Sequence, residues 1–235
     1  MTIEEVIADM PKVHGEGTFG LQREVLNRIA SHLSPESITL ETGAGLSTML
    51  FAIQQSHHTI VTPSSEEVDR IMDYCDSHQI PTKGLNFIVE MSWNALPQLE
   101  PESLDLVLVD GCHGFPTAAL DFFYSSRLLK VGGVLVLDDS QLWPVAIVHD
   151  FLKAEEAWRF DGDTGKTSFF TKLRSGAESR EWDLQPFVVG QWTKQQRRQA
   201  IPRTLQRIAR VANHVKHGDF SILKQKLLRA DKGTR

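Results

Sequence analysis

From Ser37 to Trp158 the chain alternates short apolar runs with longer amphipathic stretches. The runs are Ile38–Glu41, Thr59–Thr62, Leu85–Glu90, Leu104–Asp110 and Val134–Asp138. Each is apolar almost throughout, as expected of parallel strands buried on both faces. The stretches Ser47–Gln55, Ser64–His78, Pro116–Leu129 and Leu142–Trp158 suit crossover helices. Such alternation over five units predicts an α/β fold, a doubly wound and mostly parallel sheet with helices on both faces. Two further runs, Trp158–Phe160 and Thr167–Leu173, flank Asp161-Gly162-Asp163-Thr164-Gly165. That segment has hairpin turn chemistry, so the sheet is expected to close with an antiparallel pair.

The two ends read differently. Residues 1–35 suggest two short helices around the turn His14-Gly15-Glu16-Gly17. The second helix places Leu21, Val25, Leu26, Ile29 and Leu33 at helical spacing before Pro35 stops it. Beyond Arg174 the pattern loosens. Pro202 can open a helix with Leu205, Ile208, Ala212 and Val215 on one face. A second follows Asp219 with Phe220, Leu223 and Leu227 as its stripe. The expected organisation is an N-terminal helical segment (1–35), an α/β domain (36–175) and a C-terminal extension with a basic helical tail (176–235).

Composition narrows the class without identifying it. The chain has 235 residues, 41% hydrophobic and 23% charged, the make-up of a globular protein. It is long enough to bury a core without disulfides. Its two cysteines, Cys75 and Cys112, form neither a framework nor a zinc spacing, which fits a reducing compartment. Cys112 reads as a small buried filler. No apolar run approaches the roughly 20 residues of a membrane span. The opening MTIEEVIADM has no basic n-region, so a cytoplasmic location is expected. The net charge of −5 conceals a division: residues 193–235 carry 12 Lys+Arg and 2 Asp+Glu, so the rest of the chain is strongly acidic.

The most informative segment is Leu40-Glu41-Thr42-Gly43-Ala44-Gly45-Leu46-Ser47-Thr48, where the first strand gives way to a helix. Two glycines allow a tight turn and close ligand approach, and the helix start offers free N–H groups. A dinucleotide fingerprint would need a third glycine where Thr48 stands. Glu41, ahead of the glycines, would repel a pyrophosphate but suit a cationic ligand. S-adenosylmethionine, with its sulfonium, ammonium and carboxylate, fits better: Glu41 could oppose the positive end, and Ser47 and Thr48 could donate to the carboxylate.

Over roughly residues 36–173 the sequence resembles the class I S-adenosylmethionine-dependent methyltransferases, whose sheet is Rossmann-like. The segments LETGAGLST, VTPSSEE, LDLVLVDGCHGF and LLKVGGVLVLDD carry the resemblance. They look most like the small bacterial sugar and macrolide O-methyltransferases. The resemblance implies cofactor contacts from Glu41, Gly43, Gly45, Ser47 and Thr48. It implies adenine contacts from Ser92 and Trp93 after the third strand, and a methionine contact from Asp110 after the fourth. Members usually place an acid for the ribose at the end of the second strand. Here that place reads Val61-Thr62-Pro63-Ser64, with Glu66 and Glu67 the nearest acids, and Ser64 or Glu66 is the expected substitute.

Asp110, Asp138 and Asp139 fall at the carboxyl ends of adjacent strands, where open α/β sheets bind ligands. Like charges crowded there need compensation. A hard divalent cation such as Mg2+ would supply it through oxygen ligands. Resemblance to metal-dependent O-methyltransferases implies the same three residues, although capping or loop-holding roles also fit. His113 follows Asp110 by three residues and is the candidate general base, with Asp110 beside it, for deprotonating an acceptor hydroxyl. Gly165-Lys166-Thr167 lacks the glycine a phosphate loop needs, and Asp161-x-Asp163 lacks the acid of a calcium loop; a hairpin turn explains both.

The expected activity is methyl transfer to a hydroxyl of a small acceptor such as a sugar, with or without a metal. Two alternatives remain: a catalytically inactive methyltransferase fold that binds, and an RNA methyltransferase using the basic tail. Expected partners are a small-molecule acceptor and, for the tail, an anionic partner or membrane surface. Phe220 is the one aromatic after Trp192, which disfavours nucleic acid through single-strand stacking. Assembly as a homo-oligomer is left open by the sequence.

Overall fold

The computed structural model describes residues 2–8, 20–199 and 205. The glycine-rich turn at 14–17 and the helices expected after Pro202 and Asp219 lie outside these residues, Leu205 excepted. The chain forms two units, Met1–Glu181 and Trp182–Arg235.

The first unit begins with helices α1 (Ile3–Ala8) and α2 (Arg23–Ala30). Then follow β1 (Ile38–Thr42), α3 (Leu46–Ile53), β2 (His57–Thr62), α4 (Ser65–His78) and β3 (Leu85–Val89). A short helix α5 (Ser92–Ala95) leads into β4 (Leu104–Val109), α6 (Thr117–Leu128), β5 (Leu129–Leu137) and α7 (Trp143–Ala154). The hairpin β6 (Trp158–Thr164) and β7 (Thr167–Lys172) completes a seven-stranded sheet in the order β3-β2-β1-β4-β5-β7-β6. The first five strands pair in parallel, and β7 runs antiparallel to both β5 and β6.

The apolar runs are explained by two cores, one on each face of the sheet. On β4, Leu106 and Leu108 enter the core shared with α1 to α4. Leu104, Val107 and Val109 enter the other, with α6 and α7. On β5, Val134 and Val136 take the first side and Leu135 and Leu137 the second. Phe169 and Phe170 divide in the same way on β7. Successive side chains of a strand point to opposite faces, so a strand covered on both sides loses its polar alternation.

Three boundaries differ from expectation. β5 starts at Leu129, ahead of the glycines, because Leu129 already pairs with Leu104 across a register shift. Helix α7 stops at Ala154, where Glu155 turns to extended backbone. The hairpin turn is shorter than Asp161–Gly165. The ladder continues through Asp163↔Ser168 and Thr164↔Thr167, which leaves only Gly165 and Lys166 in the loop. Gly165 has φ +60, and glycine at the first position of a two-residue loop matches the twist of the flanking strands. Arg28 of α2 clasps this hairpin by donating to the carbonyls of Asp161 (2.8 Å) and Gly162 (3.2 Å) and to Thr164 Oγ1 (3.0 Å).

In the second unit residues 186–199 are helical, and Trp182 meets Trp192 edge-on at 6.4 Å between ring centres. Lys194, Arg197 and Arg198 are exposed on this helix. Among the described residues no helix is long and apolar enough to cross a membrane.

Candidate functional site

A cleft of about 440 Å3 opens at the carboxyl edge of the parallel strands. Its floor is the β1–α3 loop. Gly43 has φ +89, and a Cβ there would stand 2.5 Å from the Asp110 carbonyl oxygen. The loop therefore closes tightly against the end of β4, and only glycine fits. Gly45, at the start of α3, has its N–H held by Thr48 Oγ1 at 3.0 Å. The residue found in place of a third glycine thus staples the loop.

Gly43, Gly45, Ser47, Ser92, Trp93 and Asp110 line the cleft, together with His113 and Asp139. Trp93 is 40% exposed, so its indole is an open wall rather than core packing. Met91, Val61 and Pro63 continue that wall. Cys112 also lines the cleft and is exposed, not a buried filler. At its neighbour Gly111 an added Cβ would stand 3.2 Å from Thr42 Oγ1, so the loop runs close over the end of β1 there.

Glu41, Thr48 and Ser64 are placed elsewhere. Glu41 is 1% exposed and points behind the loop. Its carboxylate accepts from Ser47 Oγ (2.5 Å) and from Thr48 Oγ1, and it stands 3.2 Å from His58 Nε2. His58 in turn stacks on Phe51 and contacts Thr39 Oγ1 at 2.8 Å. Glu41 is a buried anchor of the glycine loop, and the hydroxyls expected to meet a ligand carboxylate are spent on it. Ser64 is the N-cap of α4, accepting from the Glu67 N–H at 3.2 Å. Neither it nor Glu66 lines the cleft.

Glu67 does line it, at the end of β2, with its carboxylate held by Thr62 Oγ1 at 2.8 Å. Ser64-x-x-Glu67 is a capping pattern, and it was the available sequence signal that Glu67 turns back toward the strand end. Asp121 of α6 is a second lining residue that the sequence reading missed. Burial pushes its carboxyl above the usual range, partly offset by hydrogen bonds from Ser92 and Thr42.

The three acids meet a different compensation from the one expected. Asp138 is 1% exposed; its Oδ1 accepts from Thr167 Oγ1 at 2.5 Å, and its Oδ2 lies 3.0 Å from Lys166 Nζ. Asp139, at φ +52, faces the same ammonium at 2.9 Å and accepts from Gln141 Nε2 at 2.8 Å. Its other oxygen is 3.6 Å from His113 Nδ1, while His113 Nε2 is 3.7 Å from Asp110. Burial pushes Asp110 well above the usual carboxylate range, and the charges of Asp138 and Glu41 push it further. Burial also acts on Asp139, but the hydrogen bonds from Lys166 and Gln141 and the nearby cationic charge outweigh it and hold that carboxyl low. A divalent cation needs several oxygens converging on one point. Here an ammonium occupies the space between two of the three carboxylates. Asp110, Asp138 and Asp139 do not fit a metal centre, and among the described residues no group of His, Cys, Asp and Glu is arranged to hold one.

The comparisons agree with this architecture. The crystal structure of a protein from Corynebacterium glutamicum superposes with a TM-score of 0.62 at 14% identity, covering 74% of this chain and 90% of that one. A methyltransferase from Geobacter sulfurreducens gives 0.59 at 12%, over 72% and 90%. The O-methyltransferase TomG of Streptomyces achromogenes, involved in tomaymycin synthesis and solved with S-adenosylmethionine, gives 0.59 at 15%, over 72% and 90%. At these identities the likeness is one of fold alone, a mostly parallel Rossmann-like sheet closed by an antiparallel hairpin. No curated protein matches the sequence. Residues 40–140 match the family model described as a methyltransferase domain. The match spans β1 to the segment after β5, the part of the chain that builds the cleft.

Proposed function

We propose that the protein is a class I S-adenosylmethionine-dependent methyltransferase that acts on a hydroxyl of a small acceptor such as a sugar, with His113 as the general base. The observation that carries the reading is the position of His113 on the cleft wall between Asp110 and Asp139, beside the glycine loop. The cleft suits S-adenosylmethionine. The Gly43–Gly45 backbone admits a close ligand, the start of α3 offers N–H groups to its carboxylate, and Glu67 can accept from both ribose hydroxyls. Met91 and Trp93 supply an apolar face for adenine, with Ser92 and Asp121 as polar contacts at its edge. When bound, the cofactor supplies a methyl group on a positively charged sulfur.

The chain's own residues do the rest. Asp110 opens onto the cleft and can face the cofactor's cationic end, the role expected of Glu41. His113 takes the acceptor's proton as its oxygen attacks. The imidazolium so formed lies 3.6 Å from the Asp139 carboxylate, which is held low, and 3.7 Å from the carboxyl of Asp110. Phe115, on the loop after β4, and Trp143, the first residue of α7, are 69% and 67% exposed with ring centres 6.0 Å apart. They offer an aromatic platform to the apolar face of a ring-shaped acceptor. TomG methylates oxygen by its name, and its fold is the same, which supports the oxygen acceptor.

Calorimetric titration with S-adenosylmethionine tests the cofactor half. Binding at micromolar to sub-millimolar concentration is expected, and no heat at millimolar cofactor refutes it. A panel of sugars and phenols, read by formation of S-adenosylhomocysteine, tests the acceptor half. Turnover abolished by His113→Ala is expected, and full activity of that variant removes the base.

A further inference from the structure

The β6–β7 hairpin does more than close the sheet. Because β7 runs antiparallel to β5, with Leu137 opposite Ser168, its loop is carried back to the carboxyl edge of the parallel strands. Lys166 is thereby placed against the segment that follows β5. Its carbonyl accepts from both the N–H (2.9 Å) and the Oγ (2.8 Å) of Ser140. Its ammonium lies 3.0 Å from Asp138 and 2.9 Å from Asp139. Thr167 holds the remaining oxygen of Asp138. Side chain and backbone together tie Asp138, Asp139 and Ser140 to the hairpin.

We propose that Lys166 is a tethered cation standing in the place of a divalent metal ion, and that its ammonium sets Asp139 against His113. The like charges after β4 and β5 require a positive partner at short range. An ammonium on a four-carbon stem is a compact point charge with three donors, so one lysine can satisfy two carboxylates at once. It is immobile where a metal ion exchanges, and it leaves no open coordination position for an acceptor oxygen. Deprotonation of the acceptor therefore falls to His113, and Lys166 is a positioning residue for it. This last step rests on the reading of His113 given above; the exclusion of a divalent cation does not.

Binding of Mn2+ by the full-length protein, followed through the resonance of the free ion, separates the possibilities. The wild type is expected to take up no stoichiometric Mn2+ up to about 1 mM, the weak end of protein sites for hard divalent cations. Lys166→Met frees the two carboxylates and is expected to bind Mn2+ at least about tenfold more tightly than the wild type, with a lowered Tm that Mn2+ raises again. Lys166→Gln keeps a hydrogen-bond donor on a shorter side chain but not the charge, and is expected to follow Lys166→Met. Lys166→Arg is expected to stay metal-free. One Mn2+ per chain bound by the wild type below millimolar concentration overturns the proposal, and so does Mn2+ binding unchanged by Lys166→Gln. S-adenosylmethionine titrated in parallel keeps the two readings apart. A wild type that binds neither ligand loses the proposed function and retains the tethered cation.

Discussion

Replacing Glu41 by Gln tests whether the acid of the glycine loop serves the ligand or the scaffold. In the structure its carboxylate accepts two buried hydroxyls, from Ser47 and Thr48, and faces His58. A hydrogen bond to a charged group contributes about 1.5–3 kcal/mol, roughly twice an ordinary one. Glutamine keeps one oxygen and turns an amide NH2 toward a hydroxyl or the imidazole. One charge-assisted bond is lost and the other weakened, so the expected destabilisation is about 2–4 kcal/mol. For a domain of this size 1 kcal/mol corresponds to about 2–4 °C, which makes the fall in Tm about 4–16 °C. Since Glu41 does not reach the cleft, the folded variant should bind S-adenosylmethionine within about tenfold of the wild type, a difference under 1.4 kcal/mol. Thermal denaturation and calorimetry on the same preparation read both quantities. An unchanged Tm with cofactor binding weakened a hundredfold would show that Glu41 contacts the ligand, and would refute the scaffold argument.

Two further substitutions probe the same edge. Gly43→Ala places a Cβ 2.5 Å from a backbone oxygen at a left-handed residue. The left-handed backbone alone costs about 1–2 kcal/mol, so a lower Tm and cofactor affinity reduced more than about tenfold are expected, checked by the same two methods. The raised carboxyl of Asp110 carries a definite sign: its contribution to stability is complete below the unfolded value near 3.8 and is lost as pH rises through the higher folded value. Asp110→Asn should therefore melt higher than the wild type at pH 8, with the difference vanishing near pH 3.5; a variant that melts lower at pH 8 contradicts the raised carboxyl.

The sheet was legible because its strands are buried on both faces, and Leu104–Val109 is apolar for that reason alone. The site was legible where chain order decides it. Gly43, Gly45 and Asp110 must fall at the strand ends once the strands are known, and His113 follows in the same loop. Glu41 was misread because order does not reveal the face of a pleat. It shares a face with Thr39, and the pairing of Thr39 with His58 puts the imidazole beside it, a fact of register between strands. Glu67 was passed over for Glu66 because one residue of helical phase separates a carboxylate turned to the strand end from one turned to solvent. Lys166 was invisible as a site residue. Its partners lie on another strand, and only the antiparallel return of β7 brings the two together.

That return has a consequence for how the fold comes into being. Chains emerge and fold from the amino terminus, and the glycine loop, the cleft walls and the three acids all precede residue 140. The ammonium that reconciles those acids is made later, at the tip of the last strand pair. Until residues 158–172 have paired, Asp138 and Asp139 lack the ammonium that lies against both of them. A chain arrested or cleaved before the hairpin would hold every residue of the cleft and still lack a settled one, so the cleft's charge balance arrives with β6 and β7.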